Sequence, residues 1–198
     1  ILKEKELDKL IKELNKKTVI AVDTETSSLN PQEAELIGIS ICYAANVSFY
    51  IPLGHKDTKG LTKEFVIKKL KIILEDSSIK KVGQNLKYDF IIFKKHGVEL
   101  NSVEDTMLLS YTLDAGNNRH NMDILSEIHL GHKTISYKDL VGTGKKQLNF
   151  SEIDLKSATE YAAEDADITL RLYDVLSERV SDEKLSKIYE IFEKPMIK

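Results

Sequence analysis

The stretch TVIAVDTE, Thr18 to Glu25, reads as a buried strand: apolar and β-branched side chains run together until two acids close it. Two more strand-like runs follow, ELIGISICYA (35–44) and VSFYIPLG (47–54), with Ala45 and Asn46 between them. A two-residue connection is a hairpin turn, so the first three strands are expected to pair antiparallel. Helical spacing then takes over. From Thr62 to about Glu75 the apolar residues Val66, Leu70, Ile73 and Leu74 share one face, and IKKVGQN (79–85) reads as a fourth strand entering a helix directly. That helix ends at Gly97, another starts near Asp105 as its N-cap, and a long last helix runs from about Asp154 to Val180; a short helix precedes the first strand. Hairpin strands followed by alternating strands and helices indicate an α/β fold, a mixed central sheet flanked by helices.

The chain has 198 residues, 41% hydrophobic and 31% charged, with 3 Pro and 9 Gly, the composition of a globular protein with a substantial core. No Gly/Ser linker or repeat divides it, so residues 1–198 are expected to form a single domain. No apolar run approaches the roughly 20 residues that span a bilayer, and no signal peptide opens the chain, so no membrane is expected. A lone Cys42 excludes an internal disulfide and a thiolate zinc site, which suits the cytoplasm. The net charge of −3 excludes a protein that grips nucleic acid by bulk charge. Because Ile1 is no initiator Met and KIYEIFEKPMIK keeps helical spacing at Ile188, Ile191 and Phe192, a fragment of a longer chain is expected.

The chemistry starts at Asp23 and Glu25. Two residues apart on a strand, both carboxylates leave the sheet on one face. Acids that end a buried strand are often mere turn or cap residues, so the pair gains meaning only from others. On the last helix Ala158, Ala162, Thr169, Leu172 and Leu176 form one stripe at 100° per residue, and Asp165 falls within it, with Tyr161 one turn earlier. A carboxylate on a packing face is costly unless paired or bound to a cation; Glu164 and Asp167, off that stripe, read as surface charges. Asp89 repeats the pattern beside Leu86, Ile92 and Phe93, with Asn85 one turn before it; the bland alternative has Asn85 capping the helix and Asp89 at its positive end. Four acids from three segments, with no cysteine or histidine cluster, form an oxygen cage suited to Mg²⁺ or Mn²⁺. Two such ions are a standard device for cutting a phosphodiester bond.

DTET (23–26), GQNLKYD (83–89) and YAAEDAD (161–167) resemble the three exonuclease motifs of the proofreading domain of bacterial DNA polymerase I, in the tyrosine branch of the DEDD superfamily. The resemblance extends through YIPLGH (50–55), RHNMD (119–123), HKTISY (132–137) and GTGKKQLNF (142–150). It implies a ribonuclease H-like fold and a 3′ to 5′ exonuclease acting on single-stranded or frayed DNA 3′ ends. Asp23, Glu25, Asp89 and Asp165 would be the metal-binding acids of two divalent cations, and Tyr161 would orient the attacking water. Leu29 and Tyr137 match the residues gripping the terminal nucleotides, while Gln84, Asn85, Tyr88 and Arg119 match the strand path, with Lys145 and Lys146 in a nearby loop. A polymerase domain in the same full-length chain, a monomeric fragment and a nucleoid-associated, cytoplasmic setting are what the resemblance further implies. The rival readings are an RNA-trimming exonuclease of the same superfamily and a catalytically silent DNA-binding domain.

Overall fold

The computed structural model describes residues 1–198 apart from the Lys145 side chain, so the expected place of Lys145 beside a nucleic acid lies outside the described residues. The expected first strand is β1 (Val19–Thr26), followed by β2 (Leu36–Ala44) and β3 (Val47–Pro52). These pair antiparallel, with Asp23 opposite Ser40 and Ser40 opposite Tyr50. The turn between β2 and β3 takes Asn46 to φ +62°, a left-handed conformation that asparagine tolerates. β4 (Lys80–Gly83) and β5 (Val103–Asp105) add parallel to β1, giving the order β3-β2-β1-β4-β5. The sheet is mixed, with its first three strands antiparallel, as the spacing predicts. The three-residue β5 is an element that sequence patterning does not reveal.

Alternation along β1 sorts its side chains between two layers. Ile20 and Val22 join a core with α1 (Glu4–Leu14), α2 (Lys63–Leu74) and α3 (Lys87–Lys95), through Leu7, Leu14, Leu70, Ile73 and Phe93. Ala21 packs on the other face against Ala166 and Leu170 of the long helix α7 (Leu155–Asp182). The outer side of α7 is covered in turn by α4 (Thr106–Asp114) and α5 (Met122–Leu130), where Leu109 and Leu125 meet Ile168, Leu172 and Leu176. The helix is therefore buried on more than one side. No helix among the described residues is long and apolar enough to cross a membrane.

Helix ends follow the local chemistry. Thr62 caps α2 and Asp154 caps α7 through their side chains. Gly97, at φ +74°, closes α3 with Val98 N–H donating to the Phe93 carbonyl, a Schellman end. The C-terminal segment departs from its expected continuous helical stripe. Lys184, at φ +60°, breaks the chain after α7, and the remainder winds through short turns that bury Tyr189 and Ile197. Ile188, Ile191 and Phe192 stay in solvent, 46%, 62% and 66% exposed.

One close approach is a test of this packing. A Cβ on Gly38 would lie 2.1 Å from the Tyr50 hydroxyl and 2.3 Å from its ring. Tyr50 is buried and its hydroxyl is bonded to His55 Nε2 at 2.7 Å, so the ring has no easy retreat. Gly38→Ala is expected to lower the unfolding free energy by about 1–3 kcal/mol, the usual cost of overpacking. Chemical denaturation checks it; an unchanged midpoint would show that the ring moves freely.

Candidate active site

Asp23 and Glu25 stand at the carboxyl end of β1, on the α7 face that Ala21 marks, while Thr24 between them turns to the α3 side. Asp165 comes down from α7 to meet them. One carboxylate oxygen from each of Asp23, Glu25 and Asp165 lies within 4.8 Å of the other two. Asp89, in the first turn of α3, reaches the same strand end from the opposite face: its Oδ1 accepts the Thr24 N–H at 2.9 Å and the Thr24 hydroxyl. The fourth acid is thus anchored beside the other three rather than merged with them. Glu25 and Asp89 are buried, at 7% and 3% exposure, and Glu25 Oε1 has no hydrogen-bond partner among the described residues.

Such crowding shapes the protonation of the site. Burial, then the charge of Asp23, raises Asp89 and Asp165 well above the usual carboxylate range, and burial, then Asp23, Asp165 and Asp89, does the same to Glu25. Burial pushes Asp23 up to about 6. An unpartnered, desolvated carboxylate oxygen among like charges calls for a cation, and four oxygen donors without thiolate or imidazole fit a hard divalent ion. Tyr161, one turn before Asp165, has its phenol held neutral by burial and by the neighbouring Asp165 charge.

The acids form the floor of a cleft of about 810 Å³. Leu29, Gln84, Asn85, Tyr88, Tyr137 and Tyr161, all singled out in the sequence, line it. Leu29 is 94% exposed at the tip of a loop that is otherwise tied down. Tyr88 donates to the Ser28 carbonyl, Asn149 Nδ2 to the Ser27 carbonyl at 3.0 Å, and Lys95 Nζ to the carbonyls of Pro31, Gln32 and Ala34 at 2.9–3.0 Å. Across the cleft the Tyr137 and Tyr161 rings lie 5.9 Å apart, and Phe150 supports Tyr161 at 6.1 Å.

Several sequence expectations need correction. Asn85 does not cap α3. It sits at φ +59°, and the carboxylate of Asp105 holds the chain that leads into the helix, accepting from Asn85 N at 3.0 Å and Leu86 N at 2.8 Å. Asp105 also caps α4 through Met107 N at 2.8 Å, the one role that its sequence position suggested. The Gln84 side chain faces the cleft but is committed to the protein, bonding the His120 carbonyl at 2.7 Å and the Thr106 hydroxyl. Arg119 is not in the cleft lining; it lies on the loop after α4, beside His120, and is exposed to solvent. Glu164 and Asp167 are not surface charges. Glu164 bonds His132 and the Ile135 N–H, and Asp167 is buried at 8% exposure, where it accepts the Asn46 N–H of the hairpin turn and pairs with Arg171. Asn149 and Phe150 line the cleft, and Lys95 ties down the loop that carries Leu29, though sequence spacing did not single out any of the three.

A mixed sheet with antiparallel β1 to β3, parallel β4 and β5, a long helix across one face and acids at the strand end defines a ribonuclease H-like nuclease fold. Solved structures share it: Brucella melitensis NrnC matches with a TM-score of 0.72 at 22% identity over 91% of this chain and 82% of that one. Escherichia coli RNase D, an exoribonuclease involved in structured RNA processing, matches with a TM-score of 0.70 at 20% identity over 92% and 44%. The chain belongs to the 3′-5′ exonuclease family, whose family model matches residues 1–181. DNA polymerase I of Rhizobium leguminosarum is 43% identical over 96% of this chain, and DNA polymerase I of Borreliella burgdorferi 40% identical over 98%. The chain spans 21% of the length of each.

Proposed function

We propose that this chain removes mononucleotides from DNA 3′ ends, as the proofreading exonuclease domain, spanning residues 1–198, of a bacterial DNA polymerase I. The observation that carries the reading is the convergence of Asp23, Glu25 and Asp165, with a buried, unpartnered Glu25 oxygen, at the floor of an open cleft. Asp23, Glu25, Asp89 and Asp165 are the residues to hold two divalent cations, Mg²⁺ or Mn²⁺. When bound, such ions supply a water nucleophile active near neutral pH and charge for the leaving 3′ oxygen. The chain's own groups do the rest. Leu29 and Tyr137 hold the splayed terminal nucleotides, by apolar contact and by stacking. Tyr161 keeps its proton and orients the attacking water by hydrogen bonding. Asn85 and Tyr88 line the strand path; Arg119, outside the cleft, meets a phosphate further along the strand. Relatives that are bacterial DNA polymerases support a polymerase domain as the neighbour in the full chain and the nucleoid as the setting.

The assay is digestion of 5′-labelled oligonucleotides in Mg²⁺, with the products identified. Expected are nucleoside 5′-monophosphates, faster release from single-stranded or frayed DNA than from blunt duplex, and DNA binding that is weak, because the net charge is −3, and weaker still as salt rises, because only a local lysine and arginine path meets phosphates. Equal rates on blunt duplex would remove the gripping role of Leu29 and Tyr137. RNA digested faster than DNA would favour an RNA-trimming exonuclease, the kind of activity that the fold relative RNase D has. Tyr161→Phe, which removes the hydroxyl and leaves the ring, is expected to cut kcat by about 10- to 100-fold, at or below the low end for positioned proton and water contacts, with Mg²⁺ binding retained. Loss of Mg²⁺ binding in that variant would make Tyr161 part of the metal site instead.

A further inference from the structure

Glu164 stands one residue before Asp165, off the apolar stripe of α7, where a carboxylate would ordinarily be solvated. It is instead folded onto the irregular segment between α5 and α6 (Tyr137–Val141), with its side chain only 17% exposed. Its Oε1 meets His132 Nε2 at 2.8 Å and its Oε2 accepts the Ile135 N–H at 2.6 Å. From the other side, α5 holds the same segment: Thr134 Oγ1 donates to Asp123 Oδ1 at 2.7 Å, and Ser126 Oγ donates to the His132 carbonyl at 2.9 Å. Two residues beyond Ile135 comes Tyr137, whose ring lies 5.9 Å from that of Tyr161. Glu164, Tyr161 and Asp165 occupy one turn of α7, so the carboxylate ties the Tyr137 platform to the turn that carries the reacting groups.

We propose that Glu164 is a positioning residue, which fixes the Tyr137 ring against Tyr161 and Asp165 and thereby sets the seat of the 3′-terminal nucleotide. This rests on the reading of Tyr137 as a stacking platform. Two oxygens of one side chain take two donors from one short segment, and without them the Ile135 N–H turns to solvent and the segment leading to Tyr137 loses its tie to α7.

The test measures kcat and KM of the full chain on single-stranded oligodeoxynucleotide in saturating Mg²⁺, with thermal melting alongside. Glu164→Ala is expected to raise KM about fivefold or more, part of what one stacked base contributes, with kcat within about twofold. Glu164→Gln keeps an oxygen for Ile135 and is expected to rescue much of that loss. Thr134→Val, which loosens the segment from the α5 side without changing charge, is expected to shift KM in the same direction. In a Tyr137→Ala background, Glu164→Ala is expected to add less than about twofold, because residues acting as one unit are not additive. Full additivity there, or a fall in kcat at unchanged KM, would overturn the proposal. Were Glu164→Ala poorly folded, Thr134→Val carries the same double-variant test. Tyr137→Ala with an unchanged KM would end the stacking reading itself and the positioning role with it, whereas a raised KM with additive Glu164 loss would end the positioning role alone.

Discussion

Asp165→Ala and Asp23→Ala are expected to lose at least about a thousandfold in cleavage rate while folding as well as the parent. The magnitude follows from the charge at stake. A metal site supplies several kcal/mol of transition-state stabilisation, and about 4 kcal/mol corresponds to three powers of ten. The separation from stability follows from the cluster. Asp23, Glu25 and Asp165 place desolvated oxygens within 4.8 Å of one another, so removing one in the metal-free protein relieves repulsion and desolvation. Cleavage rate and metal-free melting temperature, measured side by side, are expected to move in opposite directions: activity down, melting unchanged or up. This is the pattern of a site where function is kept at the expense of stability. Asp165→Ala cutting at the parental rate, or failing only because it unfolds, would remove Asp165 from the metal site. Asp89→Ala differs in kind, because its carboxylate also holds the Thr24 N–H and hydroxyl, and its loss costs both activity and stability.

How much of this is legible in the sequence depends on how local the signal is. The strand ending in Asp23 and Glu25, the hairpin at Ala45 and Asn46, the helix starts near Thr62 and Asp154 and the Gly97 stop are all written within a few residues, and the structure places each as expected. Asp165 is legible because helical periodicity sets a charge among apolar neighbours. The same periodicity misleads at Glu164 and Asp167. It assumes one buried face, whereas α7 is covered by the sheet, by α4 and α5, and by the hairpin turn, so the faces opposite the stripe also find partners. β5 is three residues long and runs straight into the helix capped by its own last residue, Asp105, which leaves no period to detect. The second task of Asp105, holding the Asn85 and Leu86 N–H groups ahead of α3, joins residues about 20 apart in sequence and exists only once β4 and β5 lie side by side. Lys95 is similar: a lysine in the last turn of a helix is routine, and only the fold brings three loop carbonyls to it.

The pH dependence of metal-free stability gives the second large effect, and its sign is fixed by the direction of the shifts. Burial raises Asp23 from an ordinary 3.8 to about 6, and its carboxylate neighbours are raised well above their usual values. The folded state therefore binds more protons than the unfolded state between about pH 4 and pH 6, and stability falls as pH rises through that window. Below it Asp23 is protonated in both states and carries no penalty; above it the penalty is complete, up to roughly 3 kcal/mol for Asp23. Asp23→Asn is thus expected to melt with the parent at pH 4 and about 5 °C or more above it at pH 7.5. Divalent cations act on the same term with the opposite pH preference, because they bind the ionised acids. Mg²⁺ is expected to raise the parental melting temperature strongly at pH 7.5 and weakly at pH 5, and to do little for Asp23→Asn. Ca²⁺, with longer and looser coordination, is expected to stabilise the fold yet support little cleavage, and chelation to abolish cleavage altogether. A parental protein whose melting temperature responds to Mg²⁺ equally at both pH values, or no more than Asp23→Asn does, would separate the acid cluster from the metal and leave the convergence of these carboxylates unexplained.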